Sequence, residues 1–244
     1  LQHDDRYRAD LELAWRDGGW SHQAVDWGEG AGDYGELLFD GQDRPVGLYA
    51  ITIDAQGATR RGVWAARLED GTSWSRVHLH MGDSHQESLD AVFDADTGDI
   101  IVAFYSGRDK AVRIRRLPAA MDDSFDQAEA WTSELVGDPR YDEGRYVSMA
   151  LTPSGGPALA YHRCKRLSST ESSCDQNDEG LILAVYDDER WNIELVRQAE
   201  QGSCGQFSSL GIDEQGVASI AFRCSMQRAG EHVFRLLVAR KQIE

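Results

Sequence analysis

The stretch "HLHMGDSH" gathers His78, His80, Asp83 and His85, all side chains able to bind a metal. Two histidines at i and i+2 on a strand share a face, and a loop carboxylate with a third imidazole would complete a divalent site. On an outermost strand the same pair would simply face solvent. "DADTGD" places Asp94, Asp96 and Asp99 around a glycine, as oxygen-rich Ca²⁺ loops do. The rest of an EF-hand is missing, and an acidic hairpin turn accounts for the pattern too. No cofactor is required by this reading; Ca²⁺ or another divalent ion is what these residues would suit. The chain has no nucleophile elbow, phosphate loop or zinc-protease helix, so no catalytic residue is assigned. A glycosidase needs two carboxylates at a defined separation, and 42 acidic residues leave room for such a pair.

Four cysteines sit late, at Cys164, Cys174, Cys204 and Cys224. Their spacing is not CxxC, which argues against zinc and thioredoxin-like chemistry. An even number in loop-rich stretches points to two disulfides and an oxidising compartment. Cys164 and Cys174 bracket the loop "CKRLSSTESSC", so the expected pairs are Cys164–Cys174 and Cys204–Cys224. The expected location is secreted, periplasmic or cell surface. "LQHDDRYRAD" is polar from its first residue, so a signal peptide would have been removed or would lie upstream.

The chain is 244 residues long, 41% hydrophobic, with no apolar run near the length of a membrane span. Its net charge of −17 speaks against nucleic acid and anionic membrane surfaces, which demand clustered Lys and Arg. A solvated acidic surface, or one that meets a basic partner, fits instead.

One phrase recurs along the chain. "WSHQAV", "WSRVHL", "WTSELV" and "WNIELV" begin at Trp20, Trp74, Trp131 and Trp191, each with an aliphatic residue five positions on. Periods of this length call for a repeat architecture. After each phrase run a loop, a β-rich hairpin ending in an aromatic ("RPVGLYA", "DIIVAFY", "GPALAYH", "GVASIAFR") and a further strand. Each period thus holds four short strands, a to d, and the expected fold is an all-β propeller of four-stranded antiparallel blades. A single propeller domain over 1–244 is expected, with repeats near 28–79, 80–136, 137–196 and 197–240 and outer strands from 1–27. Five c-like strands are present, so a four-bladed ring closed by its termini and a five-bladed propeller lacking its first a/b pair both stay open. "AAMDDSFDQAEAW" alone allows a helical turn. The tryptophan, starting strand d, would pack between blades as scaffold.

The pattern G-x-[YF]-x-S-L-x-x-D-x-x-G-x-x-x-I-A-[YF], cleanest in "GQFSSLGIDEQGVASIAF", resembles repeats of secreted bacterial β-propeller proteins. "EDGTSW", Glu69 to Trp74, looks like a degenerate Asp-box of sialidase-like propellers, with Glu69 for the Asp and Ser73 for the Thr. The resemblance implies fold and export, and an Asp-box is structural in that family. A sialidase would also need an arginine triad, which Arg60, Arg61, Arg163 and Arg223 cannot be shown by spacing to form.

In a propeller the d–a and b–c loops ring the channel mouth, the default binding face. Just after each strand-b aromatic stand Ala50, Tyr105, His162 and Arg223. Tyr105, His162 and Arg223 are read as mouth-lining, although strand ends also tolerate variation. Trp27, Tyr34 and Tyr146 could stack on sugars. The leading function is a non-catalytic extracytoplasmic propeller that engages a protein partner or extracellular assembly through its loop face. The alternative is a carbohydrate-binding or carbohydrate-active, sialidase- or lyase-like propeller.

Overall fold

A computed structural model describes residues 11–27, 30–52, 60–82, 89–165, 174–175, 178–199, 202–228 and 231–243. The described strands fall into five antiparallel sheets. The first pairs β1 (Leu11–Asp17) with β2 (Gly19–Asp26). The second orders β3 (Ala31–Phe39), β4 (Pro45–Ile51), β5 (Gly62–Leu68) and β6 (Trp74–Met81). The third comprises β7 (Leu89–Asp94), β8 (Asp99–Ser106), β9 (Ala111–Leu117) and β10 (Thr132–Val136). The fourth holds β11 (Asp142–Leu151), β12 (Pro157–Cys164), β13 (Gly180–Asp187) and β14 (Arg190–Gln198). The fifth has β15 (Ser203–Ile212), β16 (Val217–Arg228) and β17 (Glu231–Gln242). These are the blades of a β-propeller, each a meander from inner to outer edge.

The sequence dictates this locally. β4, β8, β12 and β13 read as nearly unbroken apolar runs because each lies between two neighbouring blades and is buried on both faces. Outer strands such as β14 show the alternation of a half-covered strand. Three of the four inner hairpins are closed by one device. Asp40 Oδ1 accepts from the backbone of Gln42 and Arg44 (2.9 and 3.0 Å), and Asp213 Oδ1 from Gln215 and Val217 (3.1 and 2.8 Å). Asp94 does the same for Asp96 N (3.0 Å) and adds the Thr97 hydroxyl (2.7 Å). A short carboxylate that bonds its own backbone two residues on is a turn-former by mechanism.

That geometry bears on the Ca²⁺ reading. Asp94 is buried and spent on its own turn, Asp96 is exposed, and Asp99 accepts from Ala119 N (3.0 Å) and faces Arg116 (3.5 Å). The three carboxylates turn to different partners and form a hairpin. At the Asp-box-like hairpin, Asp70 closes the turn, one residue after the Glu69 assigned from the sequence. Backbone bonds from Thr72 and Ser73 hold its carboxyl down at about 2. Glu69 instead receives Arg44 and Arg67 (3.3 and 3.0 Å).

The segment read as a helical turn forms two 3-10 turns, Ala119–Ser124 and Ala128–Ala130. Asp122 anchors it to the second blade by accepting from Arg44 (2.7 Å) and from the buried Arg67 (2.5 Å), whose guanidinium also covers Phe125.

The core consists of four apolar clusters, one at each junction of successive blades. Between the second and third, Val46, Leu48 and Val63 meet Ile100, Phe104, Phe125 and Trp131. The repeated tryptophan behaves as its position demands. Trp131 is 2% exposed and Trp74 and Trp191 pack on the blade before them, whereas Trp20 has no such blade and is 69% exposed. Among the described residues β1 pairs only with β2, and β17 only with β16. Among the described residues, then, the first and last strands do not pair with each other.

Candidate functional site

The inner strands of four blades enclose a cavity of about 440 Å³, lined by Tyr34, Glu36, Leu89, Tyr146, Val147, Phe207 and Ser208. Three of these residues arrive by one backbone device. In β3, β11 and β15 the pairing register shifts where the sequence reads G-x-[YF]. At each shift the aromatic lies in the left-handed region: Tyr34 at φ 51°, Tyr146 at 56° and Phe207 at 52°. Such a conformation is costly for a bulky side chain and turns it out of the strand's alternation. The preceding glycines permit it. Gly144 and Gly205 have φ of 109° and 94°, and a Cβ there would stand 2.8 Å from Val112 and from Gly180.

The rings are organised from behind. Tyr146 and Phe207 lie 4.5 Å apart, and Tyr146 stands edge-on to His162 at 6.1 Å. The Arg223 guanidinium covers Phe207 at 4.3 Å and donates to Gln206 Oε1. Ser208 donates to the carbonyls of Tyr146 and Ala160. His162 is buried and bonded through Nε2 to Glu179 Oε1 (2.8 Å), which also accepts from the Ser203 hydroxyl. Cys204 and Cys224, neighbours of this layer, are directly opposite on β15 and β16 and disulfide-bonded. Cys164 is bonded to Cys174, so both pairings expected from the sequence are present.

Electrostatically the cavity is acidic. Burial pushes the Glu36 carboxyl up, and the charge of Asp90 pushes it further. Burial also raises Asp90, against three bonds that favour its charged form. These come from Met149 N (2.7 Å), Ala91 N (2.8 Å) and Ser148 Oγ (3.1 Å), so Asp90 ties the third blade to the fourth.

Of the residues read as mouth-lining or sugar-stacking, Tyr34 and Tyr146 line the cavity. Arg223 and His162 support it from the second row. Tyr105 is elsewhere: it is 1% exposed, donates to Asp142 Oδ1 (2.6 Å) beneath Arg145, and is raised to about 12 by burial. Trp27 is 65% exposed beside Asp26, on the connection leaving β2, and does not line the cavity. Phe207 and Glu36 were not singled out from the sequence. Phe207 shared the G-x-[YF] signal, while nothing in the pattern marked Glu36.

The histidines of β6 do not meet. His78 stacks on Trp64 (4.3 Å) toward the first blade, and His80 packs on Phe104 toward the third. A bulge puts His80 opposite Val63 and His78 opposite Trp64, so i and i+2 face opposite ways. Asp83 and His85 lie outside the described residues. Among the described residues, His162, Glu179 and Cys174 bring possible metal ligands together, but the Cys174 sulfur is held in its disulfide, leaving two donors. Two donors do not make a closed site.

No family model matches the chain, and no curated protein matches it. Among solved structures it is similar to a Dyadobacter fermentans protein of unknown function, at TM-score 0.55 and 13% identity over 85% of this chain. A Bacteroides thetaiotaomicron endo-arabinase matches at TM-score 0.45 and 10% identity, over 84% of this chain and 74% of its own. A Bacillus halodurans xylan β-1,4-xylosidase matches at 0.41 and 15%, over 83% of this chain and 40% of its own. The chain spans 53% of the length of the Dyadobacter protein. At such identity the first likeness speaks for the fold alone.

Proposed function

We propose that the cavity at the centre of the blades is a carbohydrate-binding site, and that the protein is an exported binding propeller rather than a hydrolase. One observation carries this reading: Tyr34, Tyr146 and Phe207 are presented around one cavity by the same left-handed bulge on three strands. Backbone strain of roughly 1–3 kcal/mol per site is not a packing solution. Packing would bury the rings, yet Tyr34 and Phe207 are 47% and 49% exposed. Exposed ring faces suit the apolar faces of sugar rings, and Glu36 with the tyrosine and serine hydroxyls suits sugar hydroxyls. Glycoside hydrolysis requires two carboxylates flanking the bond. The described lining offers Glu36 alone, because Asp90 is committed between blades. The two disulfides support an oxidising, extracytoplasmic location.

Calorimetric titration with a panel of neutral oligosaccharides tests the reading. Binding by at least one class is expected, with Tyr146→Gly and Phe207→Gly each weakening it about tenfold while relaxing, not straining, the backbone. A panel without any binder, binding indifferent to both glycines, or steady release of reducing ends would overturn it.

A further inference from the structure

The central cavity is uneven in charge. On one side Glu36 of β3 lines it, and Asp90 of β7, on the next blade, is near enough for its charge to act on Glu36. On the other side the rings of Tyr146 and Phe207 meet at 4.5 Å. Arg223 and His162 are set back behind those rings. Arg223 covers Phe207 at 4.3 Å and donates to Gln206, and His162 is bonded to Glu179 beside Tyr146. Among the described residues no lysine, arginine or histidine lines the cavity itself.

The lining is also rich in acceptors. Glu36 receives no hydrogen bond or ion pair from a described residue, and an ionised carboxylate can only accept. Ser208 directs its hydroxyl hydrogen at the carbonyls of Tyr146 and Ala160, which leaves its oxygen to accept. A sugar hydroxyl both donates and accepts. A primary ammonium only donates, and it brings the charge that Glu36 and Asp90 have no partner for within the lining. A quaternary ammonium would bring the charge without an N–H, so these acceptors select a primary amine. Tyr34, two residues before Glu36 on the same strand, adds an exposed ring face that attracts a cation. Phe207 already carries Arg223 on its ring, which places the ammonium at the Tyr34–Glu36 end.

We propose that the preferred ligand of this cavity is an amino sugar, its ammonium held by Glu36 and its apolar ring face laid on Tyr146 and Phe207. The proposal rests on the carbohydrate reading of the same cavity and makes Glu36 its specificity-determining residue. The coupling of Glu36 to Asp90 works in the same direction. Two carboxylates that repel each other are both relieved by a cation between them and solvent.

The probes are the β-1,4-linked trisaccharide of glucosamine and the same trisaccharide of glucose, which has a hydroxyl where the other has an ammonium. Calorimetry on the intact protein, at a pH where the amine is charged, should find both bound and the amino sugar about tenfold tighter. Glu36→Gln should lower affinity for the amino sugar about tenfold and for the neutral sugar less than about threefold, so that the preference disappears. Phe207→Gly should weaken both sugars alike. A net charge of −17 attracts any polycation, so trilysine, with the charge and no sugar ring, is the control and should displace neither sugar. Equal affinities, a preference that survives Glu36→Gln, or displacement by trilysine would overturn the proposal and leave the carbohydrate reading standing. Failure of the amino sugar where a neutral oligosaccharide binds would do the same. The absence of any saccharide binder would overturn both.

Discussion

His80 stays neutral in the folded protein at pH values where a free histidine is charged. Burial against Phe104 is the main cause, with Arg113 adding repulsion, and its pKa falls to about 4. Unfolded, the same residue titrates near its ordinary value of about 6.5. Between these values the unfolded chain binds the proton and the folded chain does not, so folding stability falls as pH drops from about 6.5 toward 4. Melting temperature followed across that window should decline, and His80→Asn should flatten the decline; an unchanged slope would mean the residue is not the titrating group. This is also a residue whose role the sequence misstated. A strand with i and i+2 histidines has them on one face unless a bulge intervenes, and bulges leave almost no trace in composition. The same blindness hid the left-handed aromatics: G-x-[YF] was visible as a repeat, but the turn of the side chain into the cavity follows from register, not residue type.

At the scale of elements, the outer strands were the most legible part of the chain. The tryptophan phrase repeats because a large ring is needed wherever one blade covers the last, and period and turn residues give the strand order without knowledge of contacts. Context then decides its worth. Trp131→Ala empties a sealed site and should cost about 3–5 kcal/mol. Trp20→Ala removes a ring with no blade to cover, and should change stability by no more than about 0.5 kcal/mol. Urea denaturation of both variants would measure this, and equal losses would show that the phrase acts locally, not between blades. The disulfides were legible for a related reason: Cys164 and Cys174 bracket a loop, and Cys204 and Cys224 face each other across a hairpin. The depth of His162 was not, because whether the end of a second strand opens to the mouth depends on Tyr146 of β11 and on Glu179, just ahead of β13.

At the scale of the molecule, the ambiguity in blade number resolves into five sheets whose first and last members are short of strands among the described residues. Their faces show it. Leu37 and Phe39 on β3, and Phe234, Leu236 and Val238 on β17, are 54% to 77% exposed, although every equivalent face inside the array is covered. Among the described residues no apolar cluster joins the fifth blade to the first, and each described junction is shared by two neighbours. Energetically that makes a row of coupled units, as in stacked repeats, where a unit holds only while its neighbour does. Fraying then starts at both ends and travels inward, and the middle unfolds last. Hydrogen exchange should find β8, β12 and β13 slowest and β1, β2 and β17 fastest, and one uniform rate would refute it. The central cavity takes its lining from the second to the fifth blade, so it would lose Phe207 and Ser208 before Tyr146. A ligand gripped by Tyr146 and Phe207 at once would therefore work as a clamp between the last two units, raising the resistance of that end of the row to fraying.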